Sequence, residues 1–412
     1  MKITPQLLKH IEGSPDQIAV LIKVIPSVMV SLEDVLVKKY NIKVVRRIAS
    51  AGYISAIVDR EKIAEIAKMP QVISVTHIPQ VGLLQKAKAS LEVMPALPYM
   101  KAKTAAEPTM LGEISDFLGI TPLKKGGITG KNVIIGIVDS GVALPHPMLD
   151  GKINKEQYFV GTSPRDMLGH GSHVAGIAVG NRVTSPNGLM EGMAPDAKVI
   201  NAKIFDQNTT SADICMQGLE YAAMNGASII SCSWGSSEHF EPFHDVIRTL
   251  KAKYGCLFVC ASGNEGEPNS IVCPADSEDV IAVGSVSKTG IISEFSSRGP
   301  AYDGRIKPDL MGVGENVYSS YLTGGYEILS GTSMATPTIS GGLACLMQLG
   351  KVNVSSVYGY ASKGGVKDNT SGYGVPDFSK SRVQAIRAGL PSNLLMNLGI
   401  IPLGFILTKW AK

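Results

Sequence analysis

The segment Asn132–Gly141, NVIIGIVDSG, indicates the fold of the largest part of this chain. Its apolar run Val133–Val138 lacks the alternation of a strand with one face in water, so it predicts a strand buried on both faces. Four similar runs follow, at Lys198–Ile204, Ser228–Ser233, Leu257–Ala261 and Val280–Val283. Helical patterns lie between them, at His173–Val179, Ala212–Met224 and Phe243–Tyr254. Strands that alternate with helices predict an α/β fold in which helices flank a parallel sheet.

The length and composition predict a folded protein with more than one domain. The chain has 412 residues, which at roughly 100–200 residues per domain predicts two or three domains. Lysine and arginine number 39, and aspartate and glutamate 35, so the net charge is +4. This even balance does not fit a nucleic-acid-binding tail or a disordered acidic segment. The hydrophobic content of 44% is enough for a core, which excludes disorder throughout.

Residues 1–80, called the front domain below, have a different pattern. Six elements are expected in the order strand, helix, strand, strand, helix, strand: Ile18–Ile25, Val35–Tyr40, Ile42–Ile48, Tyr53–Val58, Glu61–Met69 and Val72–His77. This order is that of a small ferredoxin-like α+β domain. RNA-recognition domains share the order, but they carry aromatic residues on their strands for base stacking, and here only Tyr53 qualifies. We therefore expect no nucleic-acid binding.

Three further parts follow the front domain. Residues 81–130 predict a linker with some helical pieces and a processing site, because four prolines would break regular structure and leave exposed backbone: Pro95, Pro98, Pro108 and Pro122. Residues 131–390 are the predicted α/β domain, and residues 391–412 are an apolar tail. The tail's apolar run Leu394–Leu407 is shorter than the roughly 20 residues that cross a bilayer, so we expect it to pack on the domain. The alternative is an anchor at a membrane surface.

The first residues and the cysteines bear on the location of the protein. The opening sequence MKITPQLLKHIEGSPDQ lacks the apolar segment of a secretory signal peptide. The expected location is therefore the cytoplasm, or outside the cell if a leader has been removed. Six cysteines lie between Cys215 and Cys345 without a CxxC pair, so a zinc ribbon or a thioredoxin-like motif has no support. Buried free thiols are expected, and a disulfide among them stays open.

Four polar residues lie in motifs near the expected ends of strands and starts of helices, where parallel α/β sheets bind ligands. Asp139 follows the first buried strand, His170 lies in GHGSHVAG, Asn264 in ASGNEG and Ser333 in GTSMATP. Each alone has an ordinary structural interpretation, such as a turn aspartate or a helix-capping serine. Together they provide the residue types that nucleophilic catalysis needs, because a serine needs a base and the base needs a carboxylate that holds its tautomer.

With these motifs in the order aspartate, histidine, serine, the chain resembles the subtilisin-like serine proteases, or subtilases, over about Asn132–Phe378. IVDSG, HGSHVAG and GTSMATP are similar to the family's three active-site motifs, with Ser172 where threonine is usual. The resemblance implies that Asp139 orients His170, that His170 is the general base and that Ser333 is the nucleophile. The implied fold is a subtilisin-like parallel sheet flanked by helices.

The same resemblance implies residues around the nucleophile. Asn264 would donate a hydrogen bond to the oxyanion, and His173 would be structural. The sequence SCSWG lies where the family's substrate-binding edge strand runs, so an extended peptide would pair with its backbone. The implied substrate-binding residues are Ser233, Trp234, Gly235 and Gly263. A place in the core fits Trp234 about equally well.

A function follows from the resemblance as an expectation. It implies a serine endopeptidase that hydrolyses peptides or unfolded proteins through an acyl-enzyme, with no cofactor required for catalysis. The front domain resembles the family's inhibitory propeptide, which implies a zymogen that cuts itself in the linker and is then inhibited by its own propeptide. The alternative is a catalytically silent or locked binding module of the same fold, against which all four chemical positions are intact.

No metal ligand is predicted for this chain. The family's usual tight calcium site uses an aspartate after a His-Pro pair, whereas here Met148 follows His146 and Pro147. A thioether is unsuitable for a hard cation that prefers oxygen ligands. A structural calcium at another place stays open.

Overall fold

The computed structural model describes residues 2–11, 16–84 and 107–381. Their helices are α1 (Pro5–Ile11), α2 (Met29–Tyr40), α3 (Ile63–Lys68), α4 (Leu111–Phe117), α5 (Thr121–Lys125), α6 (His170–Val179), α7 (Ala212–Met224), α8 (Glu241–Tyr254), α9 (Thr332–Met347) and α10 (Val354–Gly359). Their strands are β1 (Gln17–Val24), β2 (Lys43–Ile48), β3 (Tyr53–Asp59), β4 (Val72–His77), β5 (Gln80–Leu83), β6 (Ile134–Asp139), β7 (Ile153–Tyr158), β8 (Val183–Ser185), β9 (Gly188–Met190), β10 (Lys198–Lys203), β11 (Thr209–Ser211), β12 (Ile229–Cys232), β13 (Trp234–Gly235), β14 (Leu257–Ala261), β15 (Val280–Val286), β16 (Leu310–Val313), β17 (Val317–Ser320) and β18 (Tyr326–Leu329).

A seven-stranded parallel sheet forms the centre of the large domain, in the order β16-β15-β14-β12-β6-β10-β7. Successive side chains of β6 point to opposite faces: Ile135 and Ile137 join a core with α6 and α9, while Val138 joins a core with α7 and α8. Both faces of the strand are therefore covered by helices, which is why its sequence is almost continuously apolar. The predicted α/β architecture is confirmed.

The front domain contains an antiparallel sheet in the order β2-β3-β1-β4. Helices α2 and α3 cover one face and form a separate hydrophobic core with it. The chain order and the strand order are those of a ferredoxin-like domain, so this prediction is confirmed. On the other face, Leu21, Ile48 and Tyr53 join the core that contains α7 and α8 of the large domain. The front domain is thus packed against the large domain.

Carboxylates of α7 and α8 receive hydrogen bonds from the front domain across this contact. Asp213 accepts from Arg46 Nη1 at 3.0 Å and from Ser55 Oγ at 2.6 Å. Asp245 of α8 accepts from Tyr53 Oη at 2.8 Å. Buried carboxylates are stable when such donors replace water, so these pairs fix the orientation of the front domain as well as its position.

The predicted linker, residues 81–130, differs from the structure at both ends. Residues 81–83 belong to β5, a strand that pairs with β11 and β13 of the large domain. Helices α4 and α5 bury Leu111, Ile114 and Leu123 in the main core of the large domain. Pro122 lies in the first turn of α5, where the missing N–H costs no helical hydrogen bond. Pro122 therefore does not interrupt regular structure, whereas Pro108 lies in irregular backbone as expected. Residues 85–106 lie outside the described residues.

Two further expectations concern the cysteines and the tail. All six cysteines are free and buried, as predicted. The apolar tail at residues 391–412 lies outside the described part of the chain, so its packing and its contact with a membrane surface stay predictions. In the residues that are described, we find no helix with the length and apolarity to span a membrane.

We expect Asp213→Ala to lower the free energy of unfolding by about 1–3 kcal/mol, because Arg46 and Ser55 lose their buried acceptor. Urea unfolding of chains that also carry Ser333→Ala, which removes the predicted nucleophile, measures this change. The control is Asp34→Ala, whose carboxylate is largely exposed and should change stability by no more than about 0.5 kcal/mol. If the two substitutions lowered the free energy of unfolding equally, the hydrogen bonds to Asp213 would not contribute the expected stability.

Candidate active site

Asp139 and His170 form a buried hydrogen-bonded pair between the end of β6 and the start of α6. Nδ1 of His170 lies 2.7 Å from Oδ1 of Asp139, an oxygen that also accepts from Ser140 N at 2.7 Å. A carboxylate only accepts, so Nδ1 carries the proton and donates. In the neutral ring Nε2 is then the acceptor, and it makes no hydrogen bond to any described residue. The pair can therefore receive a proton at Nε2.

Asp166, a residue that the sequence motifs do not indicate, binds the backbone and side chains on both sides of the Asp139–His170 pair. Its Oδ1 accepts from Ser140 Oγ, Leu168 N and Gly169 N, each at 2.9 Å. Its Oδ2 accepts from the backbone N of Ser172 at 2.9 Å and from Ser172 Oγ at 2.6 Å. One carboxylate thus holds both the loop after β6 and the first turn of α6. The signal was a helix whose N-cap, Gly169, has no side chain to accept from these amides.

His173 lies one turn further along α6, and its surroundings differ from those of His170. Nε2 of His173 donates to Val317 O at 3.0 Å and to Glu327 O at 3.1 Å. Burial lowers the pKa of His173 to about 3, so the ring stays neutral near neutral pH. A ring that is committed to two carbonyl groups is poorly placed to accept a proton at Nε2. This geometry fits the structural role that the resemblance implied.

Ser333 and Asn264 meet at one carbonyl oxygen, that of Leu84. Ser333 lies in the first turn of α9, and its Oγ is 2.5 Å from Leu84 O and 2.8 Å from Ser233 O. Nδ2 of Asn264 donates to the same oxygen of Leu84 at 2.7 Å. Oδ1 of Asn264 accepts from Thr332 N at 2.9 Å, which fixes the amide so that its NH₂ group faces Leu84. Two donors therefore converge on one carbonyl group of the chain's own backbone.

The Ser333 hydroxyl is buried and points to these carbonyl groups, and not to the imidazole of His170. No hydrogen bond joins Ser333 to His170 Nε2 within residues 2–11, 16–84 and 107–381. The structure thus joins Asp139 and His170 as a hydrogen-bonded pair, and it brings Ser333 and Asn264 together as two donors to the carbonyl oxygen of Leu84. Bonds between a nucleophile and its base are often long in a resting enzyme and shorten during the reaction.

The predicted substrate-binding edge is occupied by the chain itself. Strand β5 lies between β11 and β13, with Leu83 opposite Trp234 and Gly82 opposite Gly235. The next residue, Leu84, donates its backbone N–H to Ser233 O at 3.4 Å. Residues 80–84 therefore run as an extended strand that ends at Ser333, which is the pairing by β-augmentation that the resemblance implied for a peptide.

Trp234 and Gly263, two of the four predicted substrate-binding residues, are closely packed against neighbouring buried groups. The indole of Trp234 is fully buried, donates from Nε1 to Val138 O at 2.8 Å and packs near Phe243, so only its backbone faces β5. Gly263 has a φ of +117°, and a Cβ there would lie 2.5 Å from Ser297 Oγ. Glycine is therefore required at this position by the backbone and by the close approach of Ser297.

The side chains of His146 and Met148, at the place of the family's usual calcium site, offer no oxygen ligand. Met148 is fully buried in the main core, and its backbone N–H donates to Nδ1 of His146 at 3.1 Å. Nε2 of His146 lies 2.8 Å from Gly325 O, so both ring nitrogens already have partners. An imidazole and a thioether among apolar side chains do not supply the six to eight oxygen ligands that calcium takes.

A comparison with protein-family models identifies the family of this chain. The model described as the subtilase family matches residues 130–358, which is more than half of the chain and contains Asp139, His170, Asn264 and Ser333. The chain belongs to the subtilase family. It is a subtilisin-like serine endopeptidase, and the expected family is confirmed.

Similar proteins in bacteria carry names that agree with this family. The chain is 31% identical over 262 residues to the major intracellular serine protease of Bacillus subtilis (strain 168), covering 61% of this chain and 79% of that protein. It is 34% identical over 224 residues to a thermophilic serine proteinase of Bacillus sp. (strain AK1), covering 53% of each. It is 30% identical over 294 residues to the minor extracellular protease Epr of Bacillus subtilis (strain 168), covering 66% of this chain and 44% of that protein. The chain thus spans about half the length of the latter two relatives, and the three names include both an intracellular and an extracellular protease.

In this subtilase, we expect Asp166→Ala to lower kcat/KM on casein by about 100-fold, because a shift of about 1 Å in the histidine-bearing helix costs that much. Asp166→Asn, which keeps one acceptor oxygen, should lose less. The control is Asp116→Ala, at an exposed position of α4. Circular dichroism confirms that each variant is folded, and a folded Asp166→Ala chain with wild-type kcat/KM would contradict the positioning role.

Proposed function

We propose that this subtilase is made as a zymogen that cuts its own chain between Leu84 and Gln85, and that the released front domain then inhibits it. The observation that carries the proposal is the carbonyl oxygen of Leu84, which lies 2.5 Å from Ser333 Oγ and 2.7 Å from Asn264 Nδ2. A carbonyl group next to a serine hydroxyl and an amide donor has the surroundings of a peptide bond about to be attacked.

The proposed reaction is acyl transfer at Leu84. Ser333 Oγ attacks the carbonyl carbon of Leu84 while Nε2 of His170 takes the hydroxyl proton, and Asp139 stabilises the imidazolium that forms. Asn264 Nδ2 and the backbone N–H of Ser333 donate to the oxyanion. The C–N bond then breaks, His170 gives its proton to the amine of the leaving segment, and water hydrolyses the ester of Ser333. These steps need only side chains and water, so no cofactor takes part.

The position of β5 supports inhibition after the cut. Residues 80–84 pair with strands on both sides, and the front domain packs on α7 and α8 through its own apolar face. Breaking one peptide bond removes none of these contacts, so residues 1–84 would remain in the cleft as a bound product. A second polypeptide could enter only after they leave.

The same cleft suggests the substrates of the mature enzyme. Extended peptides and unfolded proteins can pair with the backbone of Ser233 and Gly235 as β5 does, whereas a folded chain cannot present such a strand. Leu84 would be the residue on the acyl side of the cut, so an apolar residue is accepted there. Cytoplasmic location, expected from the sequence, stays a prediction, since the relatives include both intracellular and extracellular proteases.

Purified wild-type chain should convert on incubation to two fragments, one that ends at Leu84 and one that begins at Gln85. Intact-mass spectrometry of a time course identifies both ends, and a casein assay follows the appearance of activity. Ser333→Ala should stay whole and inactive, because it lacks the attacking oxygen. Processing of purified Ser333→Ala at the wild-type rate, or a first cut at another bond, would show the proposal to be wrong.

Asn264→Ala should lower kcat by about 100- to 1,000-fold with a smaller change in KM, a loss of the size that subtilisin shows when its equivalent donor is removed. Steady-state kinetics on a peptide with leucine at the acyl side of the cut measures both constants. Self-processing should slow to the same extent, since the same carbonyl group is involved. An unchanged kcat in a folded Asn264→Ala chain would remove this residue from the mechanism.

A further inference from the structure

Four side chains of types that can bind a metal meet at the start of α8, namely His239, His244, Cys273 and Asp276. None of them is among the residues proposed for catalysis. His239 precedes the helix and His244 lies in its first turns, while Cys273 and Asp276 lie in the segment between β14 and β15. One ligand atom of each residue lies within 4.8 Å of those of the other three. We propose that these four residues bind one Zn²⁺ ion, and this inference does not rest on the proposed function.

The distances between the ligand atoms are close to those of a tetrahedral site. Nδ1 of His239 is 2.7 Å from Oδ2 of Asp276, and Nε2 of His244 is 2.8 Å from Oδ1 of Asp276. Sγ of Cys273 is 3.9 Å from Nε2 of His244. With zinc–nitrogen and zinc–oxygen bonds of about 2.0–2.1 Å, neighbouring ligand atoms lie roughly 3.3 Å apart. Small rotations of buried side chains would therefore exchange the two hydrogen bonds for two metal bonds.

The charges and donor types favour zinc over calcium or magnesium. A thiolate and a carboxylate supply two negative charges, which one divalent cation neutralises, and two imidazoles complete four ligands. Sulfur and nitrogen donors suit zinc, whereas calcium and magnesium prefer oxygen. Each oxygen of the Asp276 carboxylate accepts a hydrogen bond from one of the two histidines, so both of its oxygens already face the imidazoles.

Cys273 is buried beside His244 and would supply the sulfur ligand. The thiol proton leaves to solvent as the metal–sulfur bond forms. The sulfur of Cys273 lies 3.8 Å from Phe240 O and 3.9 Å from His244 Nε2, and it also contacts the Asp276 carboxylate.

Glu241 and Tyr302 lie beside the two imidazoles. Glu241 Oε2 lies 3.4 Å from Nε2 of His239 and 3.7 Å from Nδ1 of His244, which are the ring nitrogens turned away from Asp276. A histidine that binds a metal usually donates its other N–H to a carboxylate or carbonyl group. The ring of Tyr302 stacks on His239 at a centroid distance of 3.5 Å. Because the His239 side chain is 24% exposed and that of Asp276 only 2%, an ion would reach the cluster from the His239 side.

The cluster is joined to the substrate edge through the backbone. Cys273 and Ser236 exchange two hydrogen bonds, at 2.8 and 2.9 Å, and Ser236 directly follows β13. Val272 N donates to Ser262 O at 3.0 Å, and Ser262 lies two residues before Asn264 in the chain. A metal that fixes Cys273 to α8 would therefore stiffen both the edge strand and the loop that carries Asn264. The inferred role of the ion is structural.

The test is a metal titration of the full chain carrying Ser333→Ala, which excludes proteolysis during the measurement. After removal of metals with a chelator, Co²⁺ should bind at one ion per chain and give the visible bands of tetrahedral cobalt together with a thiolate-to-cobalt band in the near ultraviolet. Zn²⁺ should displace it and raise Tm, since an ion that binds the folded state stabilises that state. Cys273→Ser should lose the near-ultraviolet band, while the control Cys256→Ser, at another buried cysteine, should keep it.

Two variants keep the proposal testable if Cys273→Ser does not fold. His239→Ala, at the most exposed ligand, should abolish the Zn²⁺-induced rise in Tm, and Glu241→Gln should weaken Zn²⁺ binding by about 10- to 100-fold. Mass spectrometry under native conditions counts the ions that are bound. Absence of stoichiometric binding in the parent chain, a near-ultraviolet band that persists in Cys273→Ser, or an unchanged Tm response in His239→Ala would each overturn the zinc site.

Discussion

Burial of β6 on both faces is the constraint on which the rest of the structure depends. Ile135 and Ile137 on one side and Val138 on the other are fixed by two helical layers, so Asp139 leaves the sheet at a defined point. Asp166 then ties the loop after β6 to the first turn of α6 and thereby sets the position of His170. A rigid interior transmits position well because its side chains are close-packed. The positions of Asp139, at the end of β6, and of His170, at the start of α6, thus depend largely on the apolar residues of the two cores.

The sequence allowed a good part of this to be predicted, for physical reasons that differ between elements. Strands buried on both faces give nearly continuous apolar runs, and the reactive residues lie in short motifs whose residue types are chemically specific. Strand β7, INKEQY, was not predicted because it lies at the edge of the sheet and is largely exposed, so it has no apolar run. Helices α4 and α5 are short, so their sequences give only a weak helical pattern, and their packing in the core of the large domain depends on contacts with distant segments.

Other features depend on contacts between distant segments and leave little trace in the sequence. Asp166 has no motif of its own, and its role follows only from the five hydrogen bonds that it accepts in the folded chain. The four side chains of the inferred zinc site come from two segments, and only folding brings His239 and His244 to Cys273 and Asp276. The place of Trp234, with its ring in the core and its backbone at the cleft, also required the structure. Tertiary packing decides such cases, and local pattern does not.

In the proposed zymogen, the covalent attachment of β5 to the rest of the chain would have a consequence for the kinetics of activation. Because residues 80–84 are tethered beside Ser333, the proposed cut would be a first-order event, and its rate would not depend on the protein concentration. Release of the front domain would be a separate step, and its reversal would be second-order once the chain is in two pieces. A low protein concentration would therefore favour the free enzyme, and a high concentration would favour the enzyme with its front domain bound. The amount of active protease would then depend on how fast the released front domain is degraded, because the cleavage itself is only an irreversible first step.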